Sequence, residues 1–267
     1  MTTSAVLIIG ATRGLGARLV SQYAQRKDTV VYATTRSNIV PSSVEEHVRW
    51  LTGVDLMDAG VGERIVKQLK MCEAEALSAV IISAGHFTTE DLSKSKGPSW
   101  DEEQRMYTTS AVAPIFITHQ VVQAGLVKRQ GGRIVLVSSE AGSIGLRHAN
   151  EGGGNYGHHG SKAALNMAGR LLSLDLEGEG IVVSMVHPGF MRTDMTAGVG
   201  FDKYWDQGHG ESATVTADQA ASSLIEWTDG LDMSKTGQFW APRGPRDIGT
   251  AEAVMGANLP TPLQLPW

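Results

Sequence analysis

Cysteine occurs once in 267 residues, at Cys72. A single thiol excludes an intrachain disulfide and a cysteine-built zinc site, and it fits a reducing compartment. Cys72 reads as inert. Positive charge is also scarce: 23 Lys and Arg stand against 28 Asp and Glu, a net charge of −5, without the cationic excess of a nucleic-acid binder. No apolar run reaches the ~18 residues of a membrane span. The start, Met1-Thr2-Thr3-Ser4, leads into Ala5-Val6-Leu7-Ile8-Ile9 with no basic segment and too short an apolar run for a signal peptide, so the cytoplasm is the expected compartment. Internal repeats, heptads and metal-ligand clusters are missing, and no metal is expected. What remains is 42% hydrophobic and 19% charged, an ordinary globular composition with no linker. The expectation is a single domain over 1–267 whose partners are small molecules, neither nucleic acid nor membrane.

Ala5 to Ile9 has the continuous apolar character of a strand buried on both faces. Gly10-Ala11-Thr12-Arg13-Gly14-Leu15-Gly16 follows and opens a helix with Leu15, Leu19, Val20 and Tyr23 at helical spacing. Strand, glycine loop, helix is an arrangement that admits a pyrophosphate to bare backbone N–H groups at the positive helix end. A tight turn is the bland alternative. A second strand, Thr29 to Ala33, delivers Thr34-Thr35-Arg36. An acid after this strand suits the ribose hydroxyls of NAD, whereas a cation suits the 2′-phosphate of NADP. Arg36, with Arg13 as a second cation, favours NADP over NAD, unless both are solvated surface charges. Val48 to Leu51 forms a third strand, followed by Asp55 and Leu56; Asp55 either reaches an adenine amino group or is a turn acid.

A helix over Ala59–Lys70 and a strand over Ala79–Ile82 lead to Ser83-Ala84-Gly85, small enough to pass beneath a flat ligand. His86 to Trp100 reads as a polar surface loop. A helical stretch from Trp100 to Lys128, broken near Pro114, is apolar enough to pack against another subunit. The strand Arg133–Val137 delivers Ser138 and Ser139 to the carboxyl end of the sheet, where open α/β folds bind ligands. After Gly152-Gly153-Gly154, a helix from His158 to Glu177 buries Leu165, Ala168, Leu171, Leu172 and Leu176. Side chains four apart lie nearly in line, so His158 and Lys162 share a face and Tyr156 points elsewhere, unless a distorted turn through Gly157 and Gly160 swings its hydroxyl inward. The strand Ile181–Val186, the turn His187-Pro188-Gly189 and Thr193 follow. Residues 196–212, with Phe201, Tyr204, Trp205 and His209 nearby, read as a mobile lid, local packing being the alternative for the aromatics. A helix from Thr216 to Thr228, a strand Gly237–Trp240 and a tail over 241–267 close the chain.

The glycine loop Gly10 to Gly16, Ser83-Ala84-Gly85, Ser138-Ser139, Ser161-Lys162-Ala163-Ala164-Leu165-Asn166-Met167 and His187-Pro188-Gly189 with Thr193 together resemble the short-chain dehydrogenase/reductase family over nearly the whole chain. The Ser-Lys-Ala-Ala-Leu-Asn-Met wording and the closing Leu-Pro-Trp are most similar to its branch of carbonyl reductases and C-factor-type proteins. The resemblance implies a Rossmann-type doubly wound parallel sheet. It also implies a dinucleotide held by Gly10, Thr12, Arg13, Gly14, Leu15, Gly16, Thr35, Arg36, Asp55, Leu56, Ser83, Ala84, Gly85, Lys162, Pro188, Gly189 and Thr193. Family members often pair through the long helices, which implies a homodimer or homotetramer.

The family's catalytic set is departed from. Its tyrosine, four before the lysine, falls on His158; its lysine on Lys162; its serine on Ser139, three before Gly142; its asparagine, aligned on Ala113-Pro114, on Ser110. In the resemblance the serine polarises a carbonyl, the tyrosine donates a proton, and the lysine holds the nicotinamide ribose while lowering the tyrosine's pKa. With histidine the sign changes, because an ammonium stabilises a phenolate but disfavours an imidazolium. Histidine otherwise titrates near neutrality and can donate a proton. The expected activity is NADPH-dependent reduction of a ketone or aldehyde on a bulky apolar substrate. The alternatives are a non-redox isomerase, dehydratase or cyclase using His158 as acid or base beside bound NADP, and a nucleotide sensor without turnover.

Overall fold

The structure, a computed structural model, describes residues 4–41, 48–92, 97–205 and 214–267. β1 (Ser4–Ile9) is followed by α1 (Gly14–Ala24), β2 (Thr29–Thr34) and β3 (Val48–Leu51). α2 (Val61–Met71) leads to β4 (Ala79–Ile82), then α3 (Trp100–Tyr107), α4 (Ala113–Gln123) and β5 (Arg133–Val137). α5 (Tyr156–Leu176) returns to β6 (Val182–Val186). Beyond it lie β7 (Met191–Arg192), α6 (Asp194–Gly198), β8 (Val215–Thr216), α7 (Ala217–Asp229), β9 (Gln238–Ala241), α8 (Ala251–Met255) and β10 (Leu263–Gln264).

The main sheet has the order β10-β9-β6-β5-β4-β1-β2-β3, and all neighbours are parallel except β10 against β9. This is the doubly wound, Rossmann-type arrangement. Successive strands march one way from β1 to β3 and the other way from β4 to β6, so the crossovers leave β1 and β4 in opposite directions and open a crevice at their carboxyl ends. Helices cover both faces. Leu7, Ile82 and Leu136 pack with α2, α4 and α5, while Ile8, Ile81 and Val135 pack with α1 and α7. Each fully buried Leu or Ile contributes roughly 1.5–3 kcal/mol before chain entropy is set against it.

Three segments differ from the sequence expectation. The Trp100–Lys128 stretch is two helices joined by a π turn over Thr108–Val112, and it ends at Gln123. Pro114 offers no N–H to the carbonyl four residues back, that of Ser110, and the widened turn accommodates the missing bond. Past it, Leu126 and Lys128 pair through their backbones with Leu77. The helix expected from His158 starts two residues earlier, at Tyr156. The loop after β4, expected on the surface, carries Glu90 into the interior, only 8% exposed. Of the expected lid, residues 206–213, His209 among them, lie outside the described residues. Within the expected tail, β10 completes the sheet edge and Leu263 and Leu265 join the core. Among the described residues no helix is long and apolar enough to cross a membrane, and no cluster of His, Cys, Asp and Glu is placed to hold a metal.

Candidate active site

The crevice between β1 and β4 opens into a cleft of about 1410 Å³. At one end lies the glycine cradle. Gly10 and Gly14 have φ of +84° and +54°, where a side chain is strained. A Cβ on Gly10 would come within 2.7 Å of the Ala84 backbone, and one on Gly16 would strike the Gly10 carbonyl. Gly10 N–H donates to Thr34 Oγ1 at 3.0 Å, which locks the loop to β2. α1 begins here with no side-chain cap and no acid in its first turn, so its N–H groups face the cleft free for an anion. Arg13 and Arg36 line the same end, exposed and without an ion pair among the described residues. Asp55 lines the cleft while its Oδ1 accepts Met57 N–H at 3.0 Å, so it does serve as a turn acid.

Of the residues the resemblance singles out, Gly10, Thr12, Arg13, Gly14, Leu15, Thr35, Arg36, Asp55, Leu56, Ser83, Ala84, Gly85, Ser139, His158, Lys162, Pro188, Gly189 and Thr193 line this one cleft. Gly16 and Ser110 stand behind the wall. Gly16 lets α1 close on the loop. Ser110, in the π turn, is 1% exposed, and its hydroxyl has no partner. Gly85 separates it from the lysine: a Cβ there would be 3.6 Å from Ser110 Oγ and 3.8 Å from Lys162 Nζ.

Lys162 is 7% exposed and donates from Nζ to the Val137 carbonyl at 2.7 Å. Burial lowers its pKa from 10.5 to about 8, so holding an ammonium there costs about 3 kcal/mol. Ser139 caps a short turn, its Oγ accepting Ala141 N–H at 3.2 Å, and its own O–H stays free to donate. One helical turn before Lys162, the His158 ring stacks on Phe87 with centroids 4.1 Å apart. Burial, then the charges of Lys162, His159 and Arg147, push its pKa down to about 3. The expected titration near neutrality is therefore absent, and the ring is neutral at physiological pH. Its Nδ1 is buried without a partner. An orphaned acceptor costs less than an orphaned N–H, so the tautomer inferred carries its proton on Nε2, the nitrogen left accessible.

Tyr156 is the first residue of α5, 41% exposed and outside the cleft lining. Several cleft groups escape the sequence reading, Glu140 and the following among them. Phe87 and Phe190 extend an aromatic wall through Phe201 to Tyr204. Arg147 lines the cleft held by Glu140 at 2.6 Å and Glu151 at 3.4 Å, and His159 lies beside His158. Only the doubled histidine carried a signal; the others are loop residues whose contacts are all tertiary. His187, next to the expected Pro188-Gly189, is buried and neutral, its Nδ1 accepting Glu140 N–H at 3.1 Å.

The family model described as short chain dehydrogenase matches residues 4–203. C-signal of Myxococcus xanthus is 36% identical over 142 residues, 52% of this chain and 74% of its own. The 1-hydroxy-2-glutathionyl-2-methyl-3-butene dehydrogenase of Rhodococcus sp. strain AD45 is 28% identical over 236 residues, 88% of this chain and 95% of its own. Among solved structures, the NADPH-bound carbonyl reductase from chicken fatty liver superposes with a TM-score of 0.73 at 22% identity, covering 90% of this chain and 97% of the other. That likeness is one of fold.

Proposed function

The chain belongs to the short chain dehydrogenase family, and we propose that it is an NADPH-dependent reductase of a ketone or aldehyde on a bulky apolar substrate. The observation that carries this reading is the continuity of one cleft from the glycine cradle and its two arginines, without an ion pair among the described residues, to Ser139, His158 and Lys162. The cradle fits a dinucleotide: Gly10 and Gly16 let the loop close tightly between β4 and α1, and the first turn of α1 offers its N–H groups. Gly10 to Gly16 would hold the pyrophosphate, Arg13 and Arg36 a 2′-phosphate, Thr35, Asp55 and Leu56 the adenosine, and Ser83 to Gly85, Lys162, Pro188, Gly189 and Thr193 the nicotinamide half. Bound NADPH supplies a hydride.

The chain's own groups orient and polarise. Ser139 O–H and His158 Nε2–H both donate toward a carbonyl oxygen, and a neutral imidazole acts here as a fixed hydrogen-bond donor. Ser139 and His158 hold the oxygen, and Lys162, which lines the same cleft with a pKa of about 8, is the acid that supplies the proton balancing the hydride. Ser110 stands behind Gly85, its hydroxyl without a partner among the described residues. The aromatic wall supports an apolar substrate body. Purified protein is expected to oxidise NADPH, read as loss of its absorbance, with an aromatic or bulky ketone. Conversion with unchanged nicotinamide absorbance would replace this reading by an isomerase, dehydratase or cyclase that uses His158 as acid or base.

We also infer a homodimer or homotetramer built on α4 and α5. Ile115 and Phe116 on one, with Val112 just before it, and Met167, Leu171 and Leu174 on the other, are 40–62% exposed. An apolar patch of this kind on two neighbouring helices marks an association surface. Light scattering of the wild type is expected to give a multiple of 28.5 kDa, and Phe116→Glu with Leu171→Glu to give the monomer. A monomeric wild type would remove the inference.

A further inference from the structure

α5 starts without a cap of its own. Asn155 sits in the left-handed region at φ 54°, its side chain caps nothing, and the first turn contains no acid. The orphan N–H groups of that turn are met from elsewhere. Glu90 accepts Gly157 N–H on Oε1 at 2.5 Å, and its backbone carbonyl accepts Asn155 N–H at 3.0 Å. Gly154, at φ +95°, makes room: a Cβ there would stand 2.7 Å from the Glu90 carbonyl. Three residues earlier on the same loop, Phe87 stacks on the His158 ring. Residues 87–90 therefore hold both the backbone that starts the helix and the side chain of its third residue.

A second carboxyl closes the arrangement. Glu103 of α3 comes against Glu90, with its Oε1 buried and unpartnered, and Gly157 lets α3 approach because a Cβ there would strike Met106 and lie 2.7 Å from Glu103 Oε2. A carboxyl pressed against a second one in such a site is harder to ionise. Burial, then the hydrogen bond and charge of Glu90, raise Glu103 to about 7. The other titratable groups facing the pair are Tyr107 from α3 and His159 from α5.

We propose that Glu90 is a positioning residue for His158, its buried side chain pinning the first turn of α5 with Glu103 packed against the same turn. The proposal rests on His158 as the group at the reacting carbonyl, but its test needs no substrate. In full-length protein with nitrogen-15-labelled histidine, the His158 ring signals are identified by their loss in His158→Ala. Between about pH 6 and about pH 8 they are expected to shift with a midpoint near 7, separate from the later shift imposed by Lys162, which faces the ring with a pKa of about 8, while keeping the values of a neutral imidazole. Glu103→Gln, whose amide still donates to Glu90, removes that midpoint. Glu90→Ala displaces the ring signals at every pH, and Glu90→Gln, which keeps an acceptor for Gly157, returns them toward wild type. NADPH affinity stays within about twofold in all of these, because the cradle is a separate part of the cleft. Ring signals flat with pH in the wild type, or unmoved in Glu90→Ala, overturn the proposal. Shifts that converge on imidazolium values overturn the neutral His158 itself, a different and recognisable failure. If Glu90→Ala does not fold, Glu103→Gln alone decides.

Discussion

Replacing His158 by alanine is expected to lower kcat for carbonyl reduction about 10²- to 10³-fold with little change in NADPH affinity. The loss removes a hydrogen bond that strengthens as negative charge builds on the carbonyl oxygen, which is why it falls on kcat. His158→Tyr is expected to retain the wild-type rate or exceed it. The Lys162 ammonium that disfavours an imidazolium lowers a phenol from its ordinary pKa of about 10, so the same neighbour that silences the histidine as a cation activates the tyrosine. The pH profile carries the sign. With His158 pushed down to about 3, no limb belongs to it near neutrality. Lys162, lowered to about 8, is protonated below that value, and the rate is expected to fall as pH rises through it. A limb between about pH 6 and 7 that vanishes in His158→Ala but persists in Glu103→Gln would show an imidazolium at work and sink this account of the site.

Arg36→Asp is expected to swing cofactor preference from NADPH toward NADH by about 10²- to 10³-fold, roughly 3–4 kcal/mol. Arg36 stands just past β2, exposed and with no ion pair among the described residues, so its charge is available to a 2′-phosphate. Substitution removes a charge-assisted hydrogen bond, adds repulsion against the phosphate, and offers a carboxylate to the ribose hydroxyls of NADH. Dissociation constants for both nucleotides, from quenching of protein fluorescence, measure the swing. Wild-type NADPH binding is also expected to weaken with added salt, since both arginines are open to solvent. Equal affinity of the wild type for NADPH and NADH would end the argument from these two cations.

Much of this was open to reading before any coordinates. Ala5 to Ile9 as a doubly buried strand, the glycine spacing after it, and most of the apolar stripe of α5 are local patterns that follow from the 2.0 and 3.6 periodicities or from the sterics of one loop; Leu165, Ala168 and Leu176 are buried as the spacing predicts, whereas Leu171 is 54% exposed. The shared face of His158 and Lys162 follows the same way. The start of α5 was misjudged by two residues because its cap, Glu90, comes from 67 positions away along the chain. The π turn around Ser110 answers to Pro114 together with the packing of α3 and α4 on α5. Phe87, Arg147 and Glu140 entered the cleft through contacts that leave no trace in spacing.

The sequence alone thus settled which chain segments alternate, where the glycine loop falls, and which side chains share a helix face, because those depend on near neighbours. Only the tertiary structure decided the charge of what it assembled. A neutral ring at His158, an ammonium weakened at Lys162 and a carboxyl raised at Glu103 all arise from water being excluded by groups distant in sequence, and solvation is a property of the packed fold that no run of residues specifies.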